Sequence, residues 1–112
     1  LMSETTKYCF GEEKKRYQTK GIDERMPMEY RVTMWMLIDE LIREKGNADY
    51  LQVFEFSVEE ENGEKIQKME HRQEQPEYQE VYRWKLLGAG VTGTVFVIDN
   101  DEQCVMLWSS EY

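Results

Sequence analysis

Proline and cysteine are scarce in this chain, with two of each among 112 residues. No C-x-x-C pair occurs, which excludes a zinc ribbon and a dithiol redox motif. Cys9 and Cys104 lie near opposite ends of the chain and their spacing leaves pairing open. Residues 1–10 hold no apolar segment of signal-peptide type, so two reduced thiols in a cytoplasmic protein are expected. No apolar run approaches the ~20 residues that span a bilayer. Basic residues are in deficit: 14 Lys and Arg stand against 23 Asp and Glu, a net charge of −9. Residues 47–80 carry most of it, with ten acidic and three basic side chains. Such a field repels nucleic acid and anionic lipid, so neither direct nucleic-acid binding nor membrane association is expected.

The chain does hold ordinary core material. Hydrophobic residues make up 40%, aromatic residues 12% and charged residues 33%, the composition of one folded domain. Residues 1–13 are polar and aperiodic and read as a flexible N-terminal tail, with Tyr8 and Phe10 available to tuck against the body. Residues 14–112 read as a single domain. Lys14–Lys20 holds Tyr17 and Thr19 at period two and reads as a first strand, punctuated by Gly21.

The strongest periodic signal runs from Pro27 to Gly46. Pro27 suits the first position of a helix, where its missing N–H costs nothing. Tyr30, Met34, Leu37, Ile38 and Leu41 follow at helical spacing, and Trp35 and Ile42 widen the stripe. Asp39 and Arg43 form an i,i+4 pair, and Gly46 is a left-handed stop. Met26, Met28, Met34 and Met36 cluster at the helix start. Core filling is the expected use, and any of them left exposed becomes a candidate interface.

The remainder alternates like strands. In Leu51–Val58 the set Gln52, Phe54, Phe56 and Val58 reads as the buried face. Asn62-Gly63 is a hairpin turn, and Glu64–Gln73 is the return strand. That strand has Ile66 and Met69 as its only aliphatic residues, so it is expected at an edge or projecting, guarded by charge. Pro76 precedes Glu77–Leu87, whose Tyr78, Tyr82 and Trp84 share one face. Thr92–Ile98 is β-branched and reads as a central strand. Asp99-Asn100-Asp101-Glu102 turns the chain into a last strand, Gln103–Trp108. Strands that follow a single helix indicate α+β rather than alternating α/β. The expected fold is one long amphipathic helix packed on a curved, mainly antiparallel sheet of about five or six strands.

Motifs of chemistry are absent or fail on context. Gly88, Gly90 and Gly93 satisfy G-x-G-x-x-G by count, but Thr94–Ile98 continues as strand, so no helix N-terminus receives a pyrophosphate. The Asp99–Glu102 run lacks the glycine and distant glutamate of a calcium loop. His71 is the only histidine, and general-base work needs a second group to orient it. On a charged edge strand it reads as a solvated side chain. No catalytic residue, metal ligand or cofactor site is assigned. The candidate interaction residues are His71, Gln73, Glu74, Pro76 and Tyr78, with Glu59, Glu60 and Glu61 on the acidic hairpin.

Several blocks occur together in one order: Arg16-Tyr17-Gln18-Thr19-Lys20-Gly21-Ile22, Trp35-Met36-Leu37-Ile38-Asp39-Glu40-Leu41, Asp49-Tyr50-Leu51-Gln52-Val53-Phe54, Gln73-Glu74-Gln75-Pro76-Glu77-Tyr78 and Val95-Phe96-Val97-Ile98-Asp99. Over residues 14–112 they resemble the family catalogued as domain of unknown function nine-sixty, first described from staphylococci and found in low-GC Gram-positive bacteria and their mobile elements. The resemblance implies a bacterial cytoplasmic setting and brings no activity, cofactor or site residues with it. The leading expectation is a non-catalytic protein-binding or accessory module with an unidentified protein partner. The alternative is an acidic inhibitor whose carboxylates mimic phosphate on a nucleic-acid enzyme. An enzyme that uses His71 with a nearby carboxylate ranks last.

Overall fold

The computed structural model describes residues 10–11 and 14–112. The elements are β1 (Lys15–Gln18), α1 (Lys20–Arg25), α2 (Met28–Lys45), β2 (Leu51–Glu61), β3 (Glu64–Gln73), β4 (Tyr78–Lys85), β5 (Gly93–Asp99) and β6 (Gln103–Trp108), closed by a 3-10 turn over Ser109–Glu111. Six strands form one mixed sheet in the order β1-β6-β5-β2-β3-β4. Every pairing is antiparallel except β1 with β6, which is parallel.

Helix α2 stops at Gly46 as its sequence says, and starts at Met28, one residue later than expected. Pro27 sits at the N-cap, and its carbonyl accepts from the amides of Tyr30 and Arg31. Gly46 adopts φ 81°, and its N–H donates to Ile42 to close the last turn. Met34, Ile38 and Leu41 are buried, and Tyr30, Trp35, Leu37 and Ile42 pack partly against the same core. Asp39 does not pair with Arg43 as expected. It accepts from Arg16 of β1 at 2.6 Å, and Arg43 lies 4.0 Å from Glu40 instead. An Asp39 facing a strand has a guanidinium closer to hand than its own helix offers.

Gly21 does not end the first segment. Thr19 caps a short helix, its side chain accepting from the Ile22 amide, and Ile22 is fully buried. Glu111 approaches so closely that a Cβ at Gly21 would overlap its carboxylate. The glycine therefore answers to the C-terminal turn rather than to a break in the chain.

The β2–β3 hairpin turns on Asn62 (φ 52°) and Gly63 (φ 81°), the left-handed pair that such a turn requires. Alternation holds along β2: Gln52, Phe54 and Phe56 point into the core, while Val58 is partly exposed at the far end. β3 is not at an edge, which corrects its expected place. It pairs with β2 on one side and β4 on the other. Its polar residues are compatible with that position because they are satisfied. Buried Gln67 donates to the carbonyls of Ser57 and Val91 and accepts from the Val91 amide, tying the β4–β5 loop to the sheet. The charged residues alternate onto the opposite face, where Lys68 meets Glu59 and Arg72 meets Glu55.

Of the segment expected as a tail, Phe10 is buried at 1% exposure, and its amide donates to Asp99. Residues 1–9 and 12–13, and with them Tyr8 and Cys9, lie outside the described residues. Asp99 also accepts from Lys14 at 2.7 Å and from the Asp101 amide. Burial pushes the Asp99 carboxyl up, but the hydrogen bonds from Lys14, Phe10 and Asp101 outweigh it and hold it below the ordinary carboxylate range. Cys104 is a buried thiol 3.9 Å from the same carboxylate, and burial pushes it up to about 11.

Candidate functional site

The residues from His71 to Tyr78 divide between core and surface. His71 has no exposed area, which corrects its reading as a solvated side chain. Its ring stacks on Phe54 at 4.2 Å and meets the edge of Tyr78 at 5.3 Å. The hydrogen bonds define its tautomer. Gln52 donates through Nε2 to the Asp49 carbonyl and to Gln73 Oε1, so Gln52 Oε1 is the acceptor facing His71. His71 Nε2 lies 2.7 Å from that oxygen and therefore carries the proton. Nδ1 is then a bare acceptor, buried without a partner among the described residues. Burial lowers the pKa of His71 from 6.5 to about 4, since an imidazolium there loses its water.

The chain of donors continues outward. Gln73, also buried, donates to the Pro76 carbonyl at 2.6 Å and accepts from the Asp49 amide at 2.9 Å. Asp49 accepts from the amides of Glu74 and Gln75, just ahead of the cis Gln75–Pro76 bond. Glu74 and Pro76 are thus exposed positions on a turn braced from within. The proposed contact residues do not form one surface: His71 and Gln73 brace the turn, while Glu74 and Pro76 present it.

This turn launches β4, which pairs with β3 on one side and, among the described residues, has its other side open. Tyr78, Tyr82 and Trp84 line its inner face, half-buried against the core. Trp84 donates to the Tyr30 hydroxyl at 3.1 Å, and Tyr30 stacks on Phe56. Burial raises the Tyr82 phenol well above its ordinary value. Between α2 and β4 lies a groove of about 400 Å³, lined by Tyr30, Thr33, Leu37, Met69, Tyr82 and Trp84, with Glu29 and Arg83 beside them. The aromatic alternation of β4 was legible in its sequence. The groove was not, because it depends on which face of α2 crosses which strand.

The acidic hairpin is largely neutralised on its outer face. Glu59 lies 3.1 Å from Arg83 and 3.9 Å from Lys68. Glu55 and Glu70 share Arg72, and Glu64 meets Lys85 at 3.5 Å. Glu60 and Glu61 are exposed at the end of β2. Among the described residues, no group of three or more His, Cys, Asp or Glu side chains converges as a metal site, and no helix is long and apolar enough to cross a membrane. Of the clustered methionines, Met26 and Met34 are buried, whereas Met28 and Met36 are exposed with Val32 between them.

One helical layer on a six-stranded mixed sheet, with a braced turn leading to an aromatic edge strand, defines a small α+β domain in which β4 is the longer of the two edge strands. The chain belongs to the family described as "Staphylococcal protein of unknown function (DUF960)", whose model matches residues 15–111. It is similar in fold to a solved protein of unknown function from Enterococcus faecalis. The two share 20% identity and a TM-score of 0.70, over 96% of this chain and 98% of the other. No curated protein matches the chain.

Proposed function

We propose that this protein is a non-catalytic binding module that takes an extended segment of a partner protein as an added strand on β4. The observation that carries this reading is the open edge of β4 beside the aromatic groove. Main-chain hydrogen bonds along an edge supply affinity for any extended chain, and pockets for alternate side chains supply selectivity. An added strand pointing its alternate residues toward α2 places them against Tyr82, Trp84 and Leu37. The partner segment is therefore extended, with large apolar side chains at every second position.

Panning a displayed library of linear peptides on the protein tests this. The selected peptides should show period-two apolar residues, and Val81→Pro, which removes a backbone donor from β4, should weaken them at least tenfold. Binders indifferent to Val81→Pro and to Trp84→Ala would sink the reading. The acidic-inhibitor reading is disfavoured because Glu55, Glu59, Glu64 and Glu70 are interleaved with Arg72, Lys68, Arg83 and Lys85. It makes the opposite demand of the panned peptides: basic sequences whose binding is lost at high salt and in a Glu59→Gln, Glu60→Gln, Glu61→Gln triple variant.

A further inference from the structure

An open edge strand accepts whatever chain complements it, and the β4 sequence complements itself. We infer that the partner strand on β4 is the β4 of a second copy, paired antiparallel about a two-fold axis through Val81. The inference rests on the strand-addition reading above and names its partner. In an antiparallel pair, residues directly opposite share a face, so a symmetric pairing is centred on a single residue.

Centred on Val81, each residue 81−n lies opposite residue 81+n of the second copy. Val81, 36% exposed, then meets its own counterpart on the outer face. Tyr78 lies opposite Trp84 of the second copy on the inner face, an aromatic pair beside the groove. Glu80 lies opposite Tyr82, whose phenol can donate to a carboxylate. Gln79 lies opposite Arg83. Glu77 lies opposite Lys85, and the two-fold axis makes that opposite-charge pair twice. Lys85 is well exposed, at 71% for its side chain, and meets Glu64 at 3.5 Å within its own copy.

The neighbouring registers fail where this one succeeds. A two-fold centred on Glu80 sets two carboxylates face to face and leaves Trp84 opposite Pro76 instead of an aromatic ring. One centred on Tyr82 sets Glu80 against Trp84 and Glu77 against the fully exposed Leu87. Opposite charges and apolar pairs directly across a ladder stabilise it, and like charges destabilise it. The Val81 register is therefore singled out by the chemistry of β4. It extends two six-stranded sheets into one of twelve, with both α2 helices on the same face.

Sedimentation equilibrium of the full chain over a range of concentrations tests this. The protein should dimerise, and Lys85→Glu should weaken the dimer by about tenfold, since it sets Glu77 against a glutamate at both ends. Glu77→Lys should do the same. An equimolar mixture of the two single variants should form heterodimers, and the double variant should recover the original dimer. Both sites are exposed, and matching circular dichroism melts exclude misfolding as the cause. A dimer insensitive to both charge reversals overturns the inference. So does a chain that stays monomeric throughout. If the monomer still binds the panned peptides in a Val81-dependent way, self-pairing alone has failed; if it binds none of them, strand addition has failed with it.

Discussion

At one edge of the sheet, β1 runs four residues parallel to β6, and Arg16 stretches from it across Trp35 to Asp39 of α2. Just before it, Lys14 and the Phe10 amide converge on buried Asp99. At the other edge, β4 runs eight residues with aromatic rings inward, reached through a turn braced by two glutamines, one neutral histidine and the Asp49 carboxylate. The first edge is short and held by charge. The second is long, with its ion pairs on the exposed face, and is open on one side among the described residues. A short strand tied down by ion pairs offers little template to another chain, whereas a long regular one offers a full ladder. The asymmetry is one of length and bracing: β1 is four residues tied in beside Lys14 and Arg16, and β4 is eight residues lined by rings.

The sharpest way to break this contrast is to remove the charge that seals the first edge. Asp99→Ala removes a buried carboxylate that the Lys14 ammonium contacts and takes acceptors from the Phe10 and Asp101 amides. The expected loss is about 3–5 kcal/mol, read by urea unfolding. A loss below about 1 kcal/mol would show that β1 is held by packing alone. The Asp99 carboxyl is depressed in the fold, so its contribution is present above the ordinary carboxylate range and lost as pH falls through its lowered value.

The β4 side should respond to milder acid. His71 titrates at 6.5 when unfolded and at about 4 when folded, so the unfolded chain takes up the proton first. Its contribution is complete above pH 6.5 and disappears as pH falls to about 4, a loss of about 3 kcal/mol. Unfolding free energies measured across that window should slope in the wild type and flatten in His71→Phe. An unchanged slope in that variant would assign the effect to carboxylates instead. The smallest expected effect is local: Trp84→Phe loses the bond to Tyr30 and should cost about 1 kcal/mol by the same assay, with panned peptides bound more weakly. Unaltered peptide binding would remove the groove from the recognition surface.

Helix α2, the Asn62-Gly63 hairpin and the central strand β5 were legible because their signals are local: a stripe at helical spacing, a left-handed dipeptide and a β-branched run. The place of β3 was not. Its glutamines and histidine look like surface residues until Gln52 and Ser57 of β2 and Val91 of the β4–β5 loop are brought alongside to satisfy them, and neither segment adjoins them in the local sequence pattern. α1 was hidden for a similar reason, since Gly21 reads as a break until Glu111 is seen to occupy the space beside it. The braced turn before β4 was half visible: Pro76 marked it, and Tyr78 began the aromatic alternation. That β4 and not β3 forms the edge follows from strand order, which no local pattern encodes.

The parallel pairing of β1 with β6 also bears on how the chain is made. Lys15 lies opposite Gln103, and Asp99 must be in place before Lys14 and Phe10 have anything to hold. During synthesis β1 therefore leaves the ribosome first and waits for the last strand, while β2, β3 and β4 pair with near neighbours as they emerge. The β1 edge is the last to close, and until it does the nascent chain presents β6 as an edge in place of the shorter β1.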